Sequence, residues 1–476
     1  MIKITKGKTP KASNQNEPDQ LTVAGALSTT NNLRTLVKAF APVVELRAIK
    51  DLKVNRRNAR SHSERQVQQI AASVHEFGWL APIVIDEDDT VLAGHGRLRA
   101  AQLLHMESVP IIQVKHLTLE RKRAFMLADN RLAELAEWDQ ELLTVELKEL
   151  SGLEFDFSFE VTGFDTRDVD RLDAPVVAKP SAAEVVPELD RDRAPVSSLG
   201  DLWQLGPHLL LCGNALEEAS YAKLMGDQRA QMVFTDPPYN VKIDGHVCGL
   251  GSVHHRAFEM AAGEMSESEF TGFLATAMGL MARYSGDGAI HDICMDWRHM
   301  GEVMAAARGI YSEQKNLCVW NKTNAGMGAF YRSKHELVLI FKVGTAPHIN
   351  NFKLGGGGRY RTNVWDYAGV NTFKPGRMAE LSLHPTVKPL PLVIDALKDC
   401  SSRRGVVLDP FLGSGTTLLA AEKTGRVGRG IELDPHYVDA AIGRWQALTG
   451  QHAVHVVSGR TFEEMPNAAP LVADAA

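Results

Sequence analysis

One stretch constrains this chain more than any other. The apolar run 405–408 ends in Asp409, passes through Pro410-Phe411-Leu412 into Gly413-Ser414-Gly415, and enters a helical pattern running through Ala421. A strand that ends in an acid, turns on glycines and opens a helix is the start of a parallel strand–helix–strand unit, with a crevice at the strand's carboxyl end. The glycines allow a tight turn and close backbone approach, and the first helical N–H groups are open to an anion. The next apolar run, 427–431, ends at Glu432, 19 positions after Gly413. An acid at about that distance suits ribose hydroxyls. Further apolar runs at 209–212, 231–235, 289–294, 316–320 and 336–342 alternate with helical patterns. This alternation predicts an α/β fold built on a Rossmann-like, mostly parallel, doubly wound sheet.

The first half reads differently. Val67, Ile70, Ala71, Val74 and Phe77 recur at helical spacing before Gly78, which predicts a helix and its stop. Short strands follow at 82–85, 90–92 and 109–114, with a helix from Arg97 to about Leu104 and a longer one from Leu119 to Trp138. These make a smaller α+β unit. The predicted organisation is a flexible tail over 1–40, this unit over 41–138, a helical then proline-rich linker over 139–198, the α/β domain over 199–460 and a flexible tail over 461–476. Pro175, Pro180, Pro187 and Pro195 set the linker, since proline at that density ends helices and strands alike.

Composition removes several classes of function. The net charge is −6, so a nucleic-acid contact must come from a local basic patch. No apolar run reaches the ~18–20 residues a membrane span needs, and the N-terminus lacks a signal-peptide core. The five cysteines are scattered without Cys-x-x-Cys spacing. That pattern argues against a metal cluster or disulfide framework and for a reducing cytoplasm.

Thr235-Asp236-Pro237-Pro238-Tyr239 directly follows the strand 231–234. An aromatic exocyclic amine is a poor nucleophile because its lone pair is delocalised into the ring. Two acceptors that hold its hydrogens favour a tetrahedral nitrogen with the lone pair exposed. Asp236 offers one acceptor and the Pro237 carbonyl the other, the turn being fixed by Pro238. Tyr239 offers a flat face to a base swung out of a duplex. The acids around the glycine loop disfavour a pyrophosphate, and so NAD. They tolerate S-adenosylmethionine, which carries a sulfonium, an amine and a single carboxylate.

With these motifs in place, residues 200–455 resemble the amino-group DNA methyltransferases, whose catalytic motif is (Asp/Asn/Ser)-Pro-Pro-(Tyr/Phe/Trp). The catalytic motif precedes the cofactor motif here, as in the beta class. Further agreement comes from His384-Pro385-Thr386-Val387-Lys388-Pro389 and Gly430-Ile431-Glu432-Leu433-Asp434. The resemblance implies catalytic roles for Asp236, Pro237, Pro238 and Tyr239. It implies cofactor contacts for Asp409, Phe411, Gly413, Ser414, Gly415, Thr416, Glu432 and Lys388. Asn214 stands where relatives often have the aspartate of a Gly-Asp pair, and is carried over as a weaker contact. Aspartate at the first motif position is similar to adenine-specific members, so the expected reaction is transfer of a methyl group from S-adenosylmethionine to adenine N6 in DNA after base flipping. The alternatives are cytosine N4 as acceptor, or a ParB-like DNA-binding or nucleotide-switch protein with a vestigial methyltransferase domain.

Between Trp320 and Glu380, nine Lys/Arg stand against three acids. Lys322, Arg332, Lys334, Arg359 and Arg361 are therefore candidate DNA contacts. In the N-terminal half, Gly94-His95-Gly96-Arg97-Leu98-Arg99 opens a helix below a basic cluster of Lys53, Arg56, Arg57, Arg60 and Arg65. Residues 42–135 resemble the ParB N-terminal/sulfiredoxin-like fold, with Gly-His-Gly-Arg where ParB-like members read Gly-Glu-Arg-Arg. Residues 1–211 hold no cysteine, which excludes sulfiredoxin chemistry. The resemblance implies a phosphate or DNA contact through Gly94, His95, Gly96, Arg97 and Arg99. The expected partners are double-stranded DNA and, at the N-terminal unit, a nucleotide or DNA. No membrane is expected, and a homodimer stays open.

Overall fold

The computed structural model describes residues 43–136, 138–152, 159–172, 193–241, 261, 263–323, 330–352, 361–368 and 388–467. The tail over 1–40, most of the proline-rich stretch, Arg359 and the segment His384 to Val387 lie outside the described residues. The chain divides into two compact units, 1–139 with 155–163, and 140–154 with 164–476.

In the first unit, strands β1 (Val44–Ala48), β2 (Ile83–Ile85), β3 (Val91–Ala93) and β4 (Ser108–Gln113) form one sheet in the order β1-β4-β2-β3. Helices α1 (Glu64–Phe77), α2 (His95–Leu103) and α3 (Leu119–Glu134) belong to the same unit. The Ser63 hydroxyl accepts the Gln66 N–H at the start of α1, and Gly78 ends that helix at φ 79°. Ile83, Ile85, Val91, Leu98, Ala101, Val109 and Ile111 are the buried core. Helix α2 begins earlier than the sequence predicts. Gly94, at φ 96°, is its N-cap, and His95 and Gly96 sit inside its first turn. A β-carbon on Gly96 would lie 3.0 Å from Ile70 and 3.1 Å from His62, so the glycine lets α2 pack closely on α1.

The second unit contains α4 (Gln140–Gly152), α5 (Thr166–Leu172), β5 (Leu202–Leu205), β6 (His208–Cys212), α6 (Glu218–Met225), β7 (Ala230–Thr235), α7 (Glu267–Arg283), β8 (Ser285–Met295), α8 (Met300–Ala306), β9 (Glu313–Asn321), β10 (His335–Lys342), β11 (Val364–Asp366), α9 (Leu390–Cys400), β12 (Val406–Asp409), α10 (Thr416–Thr424), β13 (Val427–Glu432), α11 (Pro435–Thr449) and β14 (Val454–His455). All these strands join one sheet, ordered β11-β9-β10-β8-β7-β12-β13-β6-β5-β14. The central strands β8, β7, β12, β13 and β6 are parallel throughout. Antiparallel pairs flank them, β10 with β8 and β9 on one side and β5 with β6 and β14 on the other, and β11 closes the first side parallel to β9. The doubly wound sheet of the sequence reading is thus present, with antiparallel flanks.

Alternate residues of each central strand face opposite layers, as strand geometry requires. Met232 and Phe234 pack with residues of α9, α10 and α11, while Val233 packs with residues of α6, α7 and α8. From β7 the chain proceeds to β8 on one side, while β12, β13 and β6 lie on the other. Strand order reverses between β7 and β12, and such a switch point opens a crevice at the carboxyl ends.

Two structural details bear on the predicted boundaries. Helix α5 falls in the stretch read as a linker, yet Asp170 receives a two-pronged bond from the buried Arg426 guanidinium, at 2.8 and 2.7 Å. A buried, doubly bonded carboxylate anchors this segment to the sheet domain. The flexible tail does not begin at 461. Thr461 and Glu464 form a capping box, and Phe462 packs edge-on against the buried Trp203 at 5.4 Å.

Candidate active site

Strands β7 and β12 are parallel neighbours, so the Asp-Pro-Pro-Tyr loop and the glycine loop leave the sheet side by side. One hydrogen bond ties their origins together, from the Thr235 hydroxyl to Asp409 Oδ1 at 2.9 Å.

The loop after β7 gathers a charged cluster. Lys388, whose side chain is only 5% exposed, donates to Asp236 Oδ2 at 2.5 Å and to the Tyr239 hydroxyl oxygen at 3.1 Å. It also pairs with Glu336 Oε2 at 3.0 Å. The Tyr239 hydroxyl lies 2.5 Å from Asp236 Oδ1 and 3.3 Å from Glu336 Oε2. Lys322 pairs with the other Glu336 oxygen and sits over the Trp320 ring at 4.5 Å.

Burial works against the Lys388 charge, but Asp236 and Glu336 together outweigh it and hold the ammonium above the ordinary lysine range. Burial would raise the Glu336 carboxyl too. Lys388 and Lys322 overcome that and bring it down to about 2. Burial lifts the Asp236 carboxyl above its usual value against the pull of Lys388, and the Glu336 charge adds to the lift. Beyond Tyr239, the Asn240 amide accepts from Gly263 and Met265 N–H and donates to the Met265 carbonyl. This fastens the exit of the loop to the segment leading into α7.

The glycine loop is organised inward. Both Asp409 oxygens are taken, Oδ1 by Thr235 and the Phe411 N–H, Oδ2 by the Thr417 hydroxyl at 2.6 Å. Burial lifts this carboxyl to about 6. Arg444 from α11 donates to the Ser414 carbonyl, the Ser414 hydroxyl and the Thr416 hydroxyl. A β-carbon on Gly415 would lie 2.8 Å from that of Ala441, so this glycine serves the packing of α10 on α11. Gly413, by contrast, faces open space: at φ 55°, a β-carbon placed on it would meet nothing within 4 Å. Its N–H donates to Glu432 Oε2 at 2.7 Å, and the Asp434 N–H donates to Oε1 at 2.9 Å. Burial raises the Glu432 carboxyl to about 7. Phe411 is half-buried, its ring 5.8 Å from that of Phe273.

The predicted residues therefore separate. Phe411, Gly413 and Glu432 border the crevice edge. The side chains of Asp409, Ser414 and Thr416, with Gly415, also build the frame, being hydrogen-bonded or packed inside the domain. Lys388, carried over as a cofactor contact, is bonded to Asp236, Tyr239 and Glu336. Asn214 holds its own turn, accepting the Leu216 N–H and donating to Glu217. Among the predicted DNA contacts, Lys322 is engaged by Glu336. Arg361 is bound to Asp399 at 2.8 Å, with a bond to the Tyr367 hydroxyl as well. Both carry their charge in an ion pair within the protein. Arg332 and Lys334 stand close to the exposed rings of Phe330 and Tyr331 in the sequence, and Arg332 is itself exposed.

In the first unit, Arg99 is occupied by Glu64 and the His62 carbonyl, and Arg97 donates to the Pro82 carbonyl at 3.2 Å. His95 Nε2 and Arg97 Nε are buried without a hydrogen bond. Glu336 was missed as a site residue because in the sequence it reads only as an acid diluting a basic stretch. Its place two residues after Lys334, at the start of an apolar strand, was the available signal.

A doubly wound sheet with an amine-holding loop and a glycine loop at adjacent strand ends defines a methyltransferase. Residues 230–443 match the DNA methylase family, residues 39–131 the ParB N-terminal domain and residues 141–199 the ParB-methyltransferase HTH domain. The last match covers the stretch read from sequence as a linker. The chain is 46% identical over 77 residues to the ParB-like nuclease domain-containing protein YnaK of Escherichia coli (strain K12), spanning 16% of this chain and 88% of that protein. It is 42% identical over 90 residues to the type II methyltransferase M.ScaI of Streptomyces caespitosus, spanning 19% of this chain and 30% of that one. It is 25% identical over 251 residues to the type II methyltransferase M2.MboI of Moraxella bovis, spanning 50% and 87%. Residues 230–443 thus form an N6/N4-type DNA methyltransferase domain, preceded by a ParB-like N-terminal domain. Its substrate is DNA and its methyl donor S-adenosylmethionine. Among the described residues no helix is long and apolar enough to cross a membrane.

Proposed function

We propose that the acceptor is the exocyclic N6 amine of adenine, flipped from the duplex and held at the loop Asp236 to Tyr239. The observation that carries this reading is the hydrogen-bonded Asp236–Lys388–Tyr239 cluster at the end of β7. Lys388 at 2.5 Å pulls Asp236 toward the carboxylate form against the lift from burial, and a carboxylate is the acceptor an amine hydrogen needs. Aspartate at the first motif position supports adenine over cytosine.

The cofactor fits the neighbouring edge. Gly413 leaves open space beside the Glu432 carboxylate, and the acids Asp409, Glu432 and Asp434 suit a cationic nucleoside better than a pyrophosphate. Glu432 would hold ribose hydroxyls and Phe411 the adenine ring. When bound, S-adenosylmethionine supplies an electrophilic methyl group on its sulfonium. Asp236 accepts one amine hydrogen and the Pro237 carbonyl the other, which localises the nitrogen lone pair for attack. Tyr239 stacks on the base. Forming the N–C bond would break the donor's carbon–sulfur bond and leave a neutral thioether, and the proton shed by the nitrogen would pass to Asp236.

Arg332 and Lys334 would grip phosphate. At the start of α2, the unbonded His95 Nε2 and Arg97 Nε support a phosphate contact, from DNA or a nucleotide. The enzyme would act in the cytoplasm, within a restriction-modification setting, as a single copy or a homodimer. Methylation-sensitive sequencing of DNA from cells expressing the chain tests the central reading. Methylated adenine in one sequence context is the expected result, and methylated cytosine would move the acceptor to N4.

A further inference from the structure

The Tyr239 hydroxyl carries one hydrogen and stands between two carboxylates, Asp236 Oδ1 at 2.5 Å and Glu336 Oε2 at 3.3 Å. It can donate to only one of them at a time. As the residues stand, it occupies the Asp236 oxygen that an incoming amine would need, while Lys388 occupies the other at 2.5 Å. Both Asp236 oxygens are thus engaged within the protein. Glu336 supplies the alternative. It lies at the start of β10 and is buried. Lys322 holds its Oε1 and Lys388 approaches its Oε2, so its carboxylate is fixed in place opposite the tyrosine.

We propose that Glu336 is a positioning residue of the methyl transfer: it receives the Tyr239 hydroxyl as the base enters, and so vacates Asp236 Oδ1 for the amine. The exchange breaks one hydrogen bond and forms another, with no proton changing owner. The lysines make it feasible. A buried carboxylate without them would protonate and cease to be a strong acceptor, whereas Lys322 and Lys388 keep Glu336 charged, and charged acceptors form roughly twice as strong a bond as neutral ones. Among the described residues, Cys294 from β8 and Asp409 from β12 also interact electrostatically with Asp236.

The proposal rests on reading Asp236 as the amine acceptor, so the experiment separates the two. Full-length protein is assayed as wild type, E336Q, Y239F and the double variant, with D236N as a reference. E336Q keeps shape but offers only a neutral acceptor. Its kcat is expected to fall about 10–100-fold, the scale of a misplaced reacting group, with S-adenosylhomocysteine affinity and KM for DNA unchanged. In the Y239F background, where no hydroxyl competes for Asp236, the same substitution should cost little, giving a strongly non-additive cycle. An additive cycle, or wild-type kcat in E336Q, overturns the role of Glu336 while leaving Asp236 intact. Full turnover in D236N overturns the underlying reading instead. If E336Q does not fold, E336D gives the same cycle, because its carboxylate stays between the lysines but retreats from the hydroxyl.

Discussion

The two loops at the ends of β7 and β12 lie side by side and carry the two motifs most legible in the sequence, yet they use their residues in opposite ways. After β7, the motif side chains meet charged partners from distant parts of the chain, Glu336 and Lys388, and form a reactive cluster. After β12, most motif side chains turn inward. Asp409 is saturated by two threonines and a backbone N–H, and Ser414 and Thr416 are held by Arg444. A motif can thus mark a site because its residues do the chemistry, or because they hold a backbone shape beside which a ligand rests. Residues of the first kind should lose activity without losing stability, and those of the second kind the reverse.

The largest effect should come from Asp236→Ala. Methyl transfer is expected to fall by about 10²–10³-fold or more, as for loss of a key transition-state contact, while calorimetry with S-adenosylhomocysteine stays near wild type. Lys388→Met sharpens the contrast. Turnover should drop with cofactor affinity retained; a loss of affinity instead would return Lys388 to the cofactor loop.

Glu432→Ala should weaken S-adenosylhomocysteine by about 5–150-fold, the range of ~1–3 kcal/mol for lost hydrogen bonds to a charged group. The carboxyl sits at about 7 because burial disfavours its charge. The ionised form is the better acceptor for ribose hydroxyls, so binding favours deprotonation. Affinity in the wild type should therefore rise as pH increases from about 6 to about 8. A flat titration across that range would remove Glu432 from the ribose.

Asp409→Ala should act on the fold. It strands two buried hydroxyls and an N–H, at ~1–3 kcal/mol for each group left unsatisfied, and thermal melting should register the loss. Cofactor affinity measured well below the melting point should change less than in Glu432→Ala. The smallest effect belongs to the basic residues near Phe330 and Tyr331. Arg332→Ala or Lys334→Ala should each reduce the log–log salt slope of DNA binding by roughly 0.9, and an unchanged slope would place the phosphates elsewhere.

The sequence made the architecture legible where local signals repeat. Apolar runs leading into Asp236, Asp409 and Glu432 located three parallel strand ends, and the helical spacing from Val67 to Phe77 marked α1. Short strands without a run of their own escaped. Leu202–Leu205, Val364–Asp366 and Val454–His455 owe their conformation to the strands they pair with. Long-range electrostatics escaped as well. Nothing local reveals that Lys388 meets Asp236 across 152 positions, that Arg361 is neutralised by Asp399, or that Arg426 anchors Asp170. Charge counts along the chain treat such residues as free surface, whereas burial and pairing decide what they do.

The central claim, that the loop after β7 methylates adenine through Asp236, is tested most directly by nucleoside mass spectrometry. Unmethylated DNA would be incubated with S-adenosylmethionine and either the wild-type protein or Asp236→Asn. The account predicts N6-methyladenine with the wild type and none above background with the variant. N4-methylcytosine from the wild type, or undiminished N6-methyladenine from the variant, would contradict it.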